Sequence, residues 1–409
     1  MIAIMGARIV DPSSGRDAVG TVLIDGRAVA AIDPPTIPAA AERIEARGLV
    51  LAPGLIDALA FRTDPAACLA GGITRLVLMP DQSPPLDDPA LIERAERIGK
   101  PHVWVHPLAA ATRGLGGTEL AEIGLAKLAG AVGAATGRRA IASAAVMHRL
   151  LAYAAGFDLP VIVHPEEPTL TERAVATAGE RASRLGLPAA PAFAEALGIA
   201  RDLRLAEATG ARLHIAQVTT AEGVALIRDA KARDVHVTAA VTPAHLFQTE
   251  VAIGDYRTFA HLSPPLRIET DRRAVIDGVV DGTIDMIASG HDPRSDDEKR
   301  LPFADSAPGA AGAAILLPLA LALVREDRLS LIDLIARLTA APARAFGLPA
   351  GRIAVGEDAD LVLFDEAAPW RIDADRTPGI AGNTPFDGVP TQGRVVMTIK
   401  GGAVTRART

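Results

Sequence analysis

From about residue 53 to 345, short and nearly unbroken apolar runs alternate with longer segments of helical spacing. The runs are Ile73 to Met79, Val103 to Val105, Val161 to Val163, Leu213 to Ile215, Val235 to Val241 and Met286 to Ala288. Between them, segments such as Ala144 to Ala155 and Ala221 to Arg233 repeat their apolar residues at helical intervals. A strand that is apolar on both faces needs cover on both faces, so the pattern predicts a parallel sheet wrapped in helices. The number of repeats favours a (β/α)8 barrel of the TIM type, although periodicity alone also fits an open sheet.

The two ends read differently. Ala7 to Val10 runs into the turn Asp11-Pro12-Ser13-Ser14-Gly15, and Val22-Leu23-Ile24 meets the hairpin dipeptide Asp25-Gly26. At the other end, Asp360 to Asp365 and Arg394 to Ile399 are strand-like, and Lys400-Gly401-Gly402 is a turn. The expected architecture is therefore α/β: residues 53–345 form the barrel. Residues 1–52 and 346–409 pair into one small β-sandwich domain.

The chain has 409 residues, 49% hydrophobic content, and a formal charge of -7 with no basic block. That supports a large core and argues against nucleic acid or an anionic membrane as partner. Cys68 is the only cysteine, which rules out an internal disulfide framework and fits a cytoplasmic location. The start lacks the basic residues and long apolar run of a signal peptide. The longest apolar stretch, Ala310 to Val324, contains Pro318 and is too short to span a bilayer, so it predicts a buried helix.

Ordered along the whole chain are motifs that resemble those of the dihydroorotases and their hydantoinase and allantoinase relatives. They include Ala52-Pro53-Gly54-Leu55-Ile56-Asp57, Met79-Pro80-Asp81, Leu213 to Thr220, Val241 to Leu246, Ser263-Pro264-Pro265-Leu266-Arg267, Gly356 to Leu361 and Asn383-Thr384-Pro385-Phe386. The resemblance implies cyclic-amide chemistry on one or two metal ions, usually zinc. The ligands would converge at the C-terminal mouth of the barrel.

Measured against that resemblance, most ligand positions hold other residues. Leu59 and Phe61 stand where a His-x-His pair belongs, and Arg62 falls one place before the family's substrate arginine. Ala131 to Gly137, where a bridging Asp or modified Lys belongs, has neither. His164 keeps its ligand position. Gln217 replaces a histidine, Gly290 replaces the aspartate that serves as ligand and base, and Arg294 replaces a substrate-contacting histidine. One of six ligand positions is retained, and a single imidazole does not hold zinc against water and cellular chelators.

The resulting expectation is a protein without catalytic residues, zinc or other cofactor. It resembles the non-catalytic dihydroorotase-like chain that some bacteria carry, which binds aspartate carbamoyltransferase in pyrimidine biosynthesis. A hetero-oligomer or homodimer is expected. The rival reading is a divergent cyclic-amide hydrolase with a site rebuilt from His164, Glu166, His214, His261, His291 and Asp292. Asp292 with Arg294 reads as a surface pair, and Arg294 to Arg300 as a solvated loop.

Overall fold

The computed structural model describes residues 1–406. Five strands open the chain: β1 (Ile2–Asp11), β2 (Arg16–Asp25), β3 (Ala28–Ile32), β4 (Glu42–Glu45) and β5 (Val50–Pro53). The Asp25-Gly26 dipeptide does turn β2 into β3, with Gly26 at φ 55°, a conformation that glycine adopts without strain. β1 begins at Ile2, ahead of the run Ala7 to Val10, and its ladder with β2 bulges between Met5 and Ala7.

The barrel strands follow. They are β6 (Leu55–Ala60), β7 (Ile73–Leu78), β8 (Trp104–Pro107), β9 (Ala109–Ala110), β10 (Ala134–Ala135) and β11 (Val161–Val163). After a small parallel pair, β12 (Ala176–Thr177) and β13 (Ala189–Ala190), come β14 (Leu213–Ile215), β15 (Val237–Val241) and β16 (Met286–Ile287). β8 and β9 are one strand interrupted at Leu108, so eight staves run β6-β7-β8/β9-β10-β11-β14-β15-β16. The ring closes where Ala60 bridges His291 and the Phe61 N–H donates to the His291 carbonyl at 2.9 Å. β9 and β10 escape a pattern search because they are pairs of alanines, with neither β-branched residues nor alternation to mark them.

The two chain ends meet as expected. β17 (Leu361–Arg371) lies antiparallel to β5, and β18 (Pro390–Lys400) and β19 (Ala403–Arg406) complete the sheet. The protein is thus a TIM-type (β/α)8 barrel with a β-sandwich domain built from both ends.

Helices wrap the barrel, and several start at side-chain caps. Ser143 accepts from the Val146 N–H ahead of the helix Ala144–Ala155, and Thr220 does the same for Ala221–Ala232. The barrel interior is filled by Ile56, Leu59, Val77, Met79, Leu108, Ile162 and Met286. A separate layer, with Leu76, Leu150, Ile199, Ile227 and Leu334, joins staves to helices.

Two expectations change here. The stretch 310–324 is not one helix: a 3-10 turn at Ala313–Ile315 leads into Leu316–Ala320 and Ala322–Arg325. Ahead of that turn the Gly312 backbone packs so closely on Ser289 that a Cβ there would lie 2.2 Å from the Ser289 carbonyl oxygen. The charged run at 294–300 is not simply solvated. Ser295 caps a short helix, Asp296–Lys299. Lys299 is buried, and its Nζ donates to the carbonyls of Ala307 at 2.7 Å, Thr258 at 3.1 Å and His261 at 3.4 Å. Burial lowers its pKa to about 8.

At β7 the joint between barrel and sandwich is a polar cluster. Asp360, ahead of β17, takes a salt bridge from Arg75 on β7 at 2.8 Å and hydrogen bonds from Trp104 Nε1 at 3.0 Å and the Gly401 N–H at 2.6 Å. Lys400 Nζ lies 3.3 Å from the centroid of the Trp104 ring.

The barrel mouth as candidate functional site

The first stave sets the mouth. Strand side chains alternate, so Leu59 and Phe61, two residues apart, both join the barrel-interior cluster. Asp57 is fully buried, where it accepts from the Ser289 hydroxyl, from the Ser289 N–H at 2.8 Å and from the Leu59 N–H at 3.3 Å. Burial pushes its carboxyl up, against these bonds. It ties β6 to the loop after β16 and stays out of the mouth. Arg62 is exposed.

Above Phe61 lies a cavity of about 300 Å³, whose lining includes Arg138, His164, Glu166, Glu195, His261 and Arg267. A smaller one of about 40 Å³ is lined in part by Phe61, Arg138, Gln217, Thr242, Gly290 and Asp292. Of the positions singled out in the sequence, Phe61, His164, Gln217 and Gly290 line one or other of these cavities, and Leu59 lines neither. Gly290 has φ 60°, and a Cβ there would sit 2.9 Å from the Thr242 methyl and 3.7 Å from Gln217 Nε2. Arg294 turns elsewhere: it bonds Asp292 Oδ2 at 2.8 Å and the Pro308 carbonyl at 2.8 Å, and its own N–H donates to Asn383 Oδ1 at 2.9 Å.

The centre of the mouth is occupied by a residue that sequence reading passed over. Arg138 follows β10, one residue beyond the stretch Ala131 to Gly137. Its guanidinium lies 4.0 Å from the Phe61 ring centroid, pairs with Asp292, and stands 3.8 Å from Asp81 Oδ1. Asp292 is 3% exposed, so its pairs with Arg138 and Arg294 are buried features and not the surface pair expected. Burial pushes the Asp81 carboxyl up, against the backbone bond and charge of Arg138. Asp81 Oδ2 and Asp292 Oδ1 have no hydrogen-bond partner among the described residues.

A second buried pair forms the far wall. Glu195 accepts from the N–H groups of Thr219 and Thr220, both at 2.9 Å, from the Thr220 hydroxyl at 2.8 Å and from the Thr219 hydroxyl. Arg267 reaches it at 3.3 Å and also donates to Thr219 Oγ1 at 2.9 Å and Thr177 Oγ1 at 3.0 Å. Arg267 was legible as part of Pro-Pro-Leu-Arg, but Glu195 sits in a helix with nothing local to mark it.

The histidines scatter. His164 Nε2 is 3.6 Å from Glu166, and its backbone N–H donates to Thr136. Burial opposes it, yet His164 leaves the Glu166 carboxyl below its ordinary range. His261 also faces the larger cavity, with Nδ1 2.9 Å from Ser306 Oγ, and burial lowers its pKa to about 4. His214 packs against Phe346 and lies 2.9 Å from Thr238, and burial lowers it to about 3. His291 Nδ1 accepts from the Gly312 and Ala313 N–H groups while Nε2 faces Asp64 at 3.5 Å. Of the rebuilt set, His164, Glu166 and His261 share the larger cavity and Asp292 borders the smaller one.

Fold and mouth together define the class, and comparison with known proteins agrees. The sequence profile of the amidohydrolase family matches residues 60–405, and the chain belongs to that family. Within it, a dihydroorotase of Syntrophotalea carbinolica is 39% identical over 99% of this chain and 98% of its own length. A dihydroorotase-like protein of Pseudomonas aeruginosa is 39% identical over 99% of each chain. Among solved structures, an L-hydantoinase from Arthrobacter aurescens superposes with a TM-score of 0.88 at 24% identity, covering 99% of this chain and 96% of its own.

These relatives correct one expectation. Proteins 39–40% identical to nearly the whole chain are named dihydroorotase, and the shared fold extends to a hydantoinase. The prediction that the chain is not an enzyme therefore does not stand. The zinc implied by the family is a separate matter, because the side chains present do not fit it. Leu59 and Phe61 offer carbon, Gln217 an amide and Gly290 nothing. Among the described residues no group of three or more His, Cys, Asp and Glu is placed to hold a metal ion. No helix of the described residues is long and apolar enough to cross a membrane.

Proposed function

We propose that this dihydroorotase-like chain is a structural or regulatory partner of aspartate carbamoyltransferase in pyrimidine biosynthesis, acting in a cytoplasmic hetero-oligomer. The observation that carries the reading is the make-up of the mouth. Leu59, Phe61, Gln217 and Gly290 hold the positions that the resemblance gives to metal ligands, and the Arg138 guanidinium is braced among them by Asp292 and Asp81. The rest of the barrel keeps its packing, so its outer surface is rigid enough to present to a partner. Mixed with the aspartate carbamoyltransferase of the same organism, the chain is expected to co-elute as one larger species in size-exclusion chromatography. Two separate peaks at micromolar concentration sink the proposal.

The proposal extends to the cofactor: no zinc, with His164 as the one imidazole left in a ligand position. Purification under metal-replete conditions followed by elemental analysis is expected to find far less than one zinc per chain. A full equivalent, resistant to dialysis, reverses this.

A second reading is favoured by the relatives named dihydroorotase: hydrolysis of a cyclic amide at a site using His164, Glu166 and His261, which share the larger cavity. It requires turnover of a cyclic amide that His164→Ala abolishes.

A further inference from the structure

A cavity of about 620 Å³ shares no lining residue with the two cavities of the mouth. It lies between the barrel and the sandwich. Its floor is apolar, formed by Ala70, Ile315, Pro318 and Val395. Its rim is aromatic and basic: Trp370 and Arg371 end β17, Arg394 comes from β18, and Arg376 follows in the connection. Three arginines face one acid, Asp373, which pairs with Arg376 at 3.4 Å. In a chain of net charge -7 this is a local excess of positive charge.

The rim is organised. Trp370 Nε1 donates to the Gly393 carbonyl at 2.8 Å, which fixes the ring, and the Arg394 guanidinium lies 5.6 Å from the ring centroid. Among the described residues Arg371 and Arg394 have no carboxylate partner, and all three arginines are exposed. A guanidinium fork suits phosphate oxygens, and a fixed indole beside an apolar floor suits a planar base. The volume falls in the range of about 300–1,000 Å³ typical of small-molecule sites.

We propose that this groove binds a mononucleotide, its base against Trp370 and the apolar floor and its phosphates on Arg371 and Arg394. Because the groove is walled by both domains, the bound ligand would touch barrel and sandwich at once.

Isothermal titration of the full chain with ATP tests this, with tripolyphosphate, adenosine and a single-stranded oligonucleotide as comparison probes. ATP is expected to bind one per chain and more tightly than tripolyphosphate or adenosine. Loss of a charge-assisted bond in Arg371→Ala or Arg394→Ala is expected to weaken ATP about tenfold or more. Both side chains are exposed, so an unchanged thermal melt shows that the variants fold. No binding of ATP at millimolar concentration overturns the proposal, as does binding that neither variant weakens. Equal affinity for tripolyphosphate reduces the groove to a bare anion patch and overturns it too. Much tighter binding of the oligonucleotide overturns it in favour of a nucleic-acid surface.

Discussion

Glu195→Ala is expected to lower the stability of the fold by about 3–5 kcal/mol, because it strands Arg267 in the wall of the mouth. Both side chains are buried, at 1% and 7% exposure. The carboxylate also accepts both backbone N–H groups at the start of the helix that Thr220 caps. Alanine leaves these donors and the guanidinium without their acceptor, and desolvated groups without partners carry the full penalty. Denaturant titration should show a lower midpoint at an unchanged slope. Glu195→Gln keeps an acceptor but not the charge and should fall between the two. A shift below about 1 kcal/mol for alanine would mean that water replaces the carboxylate, and that the wall is open to solvent.

Asp360→Ala is expected to cost a similar amount, about 3–5 kcal/mol, at the other end of the barrel. Arg75 and Asp360 are 7% and 9% exposed, and the same carboxylate takes bonds from Trp104 and Gly401. Burial pushes the Asp360 carboxyl up, against the charge of Arg75, so the ionised form depends on that partner. The pair bolts β7 of the barrel to the sheet made by both chain ends. A double variant, Arg75→Met with Asp360→Ala, removes both charges and should recover part of the loss, since the guanidinium left with only its 3.8 Å contact to Asp358 is then gone. Additive losses in the double-mutant cycle would refute the coupling.

Much of the fold is legible because it rests on local rules. The runs at Val161–Val163 and Leu213–Ile215 and the helix at Ala144–Ala155 fall where their patterning puts them, as apolar content and spacing dictate burial. Asp25-Gly26 turns as its chemistry requires. The staves at Ala109–Ala110 and Ala134–Ala135 do not declare themselves: two alanines become strand only because neighbouring staves supply the hydrogen bonds. The helix expected from residue 310 begins as a 3-10 turn at Ala313, beside a close approach of the Gly312 backbone to Ser289 that the local pattern does not show.

The mouth divides along the same line. By itself the sequence determined what Leu59, Phe61, Gln217 and Gly290 can offer a metal, since residue identity fixes what can donate a lone pair. Only the tertiary structure decided what fills the space instead. Asp81, Arg138 and Asp292 come from three staves, and their pairing depends on the closing of the ring. That closure also buries Asp292, which in sequence looks like any charged residue in a loop. Glu195 and Arg267 likewise meet only once the helix ahead of β14 packs beside the connection that follows β15. Chemical capacity is a property of each side chain and is written locally. Burial and charge pairing are properties of the space between side chains, and they exist only once the barrel has closed.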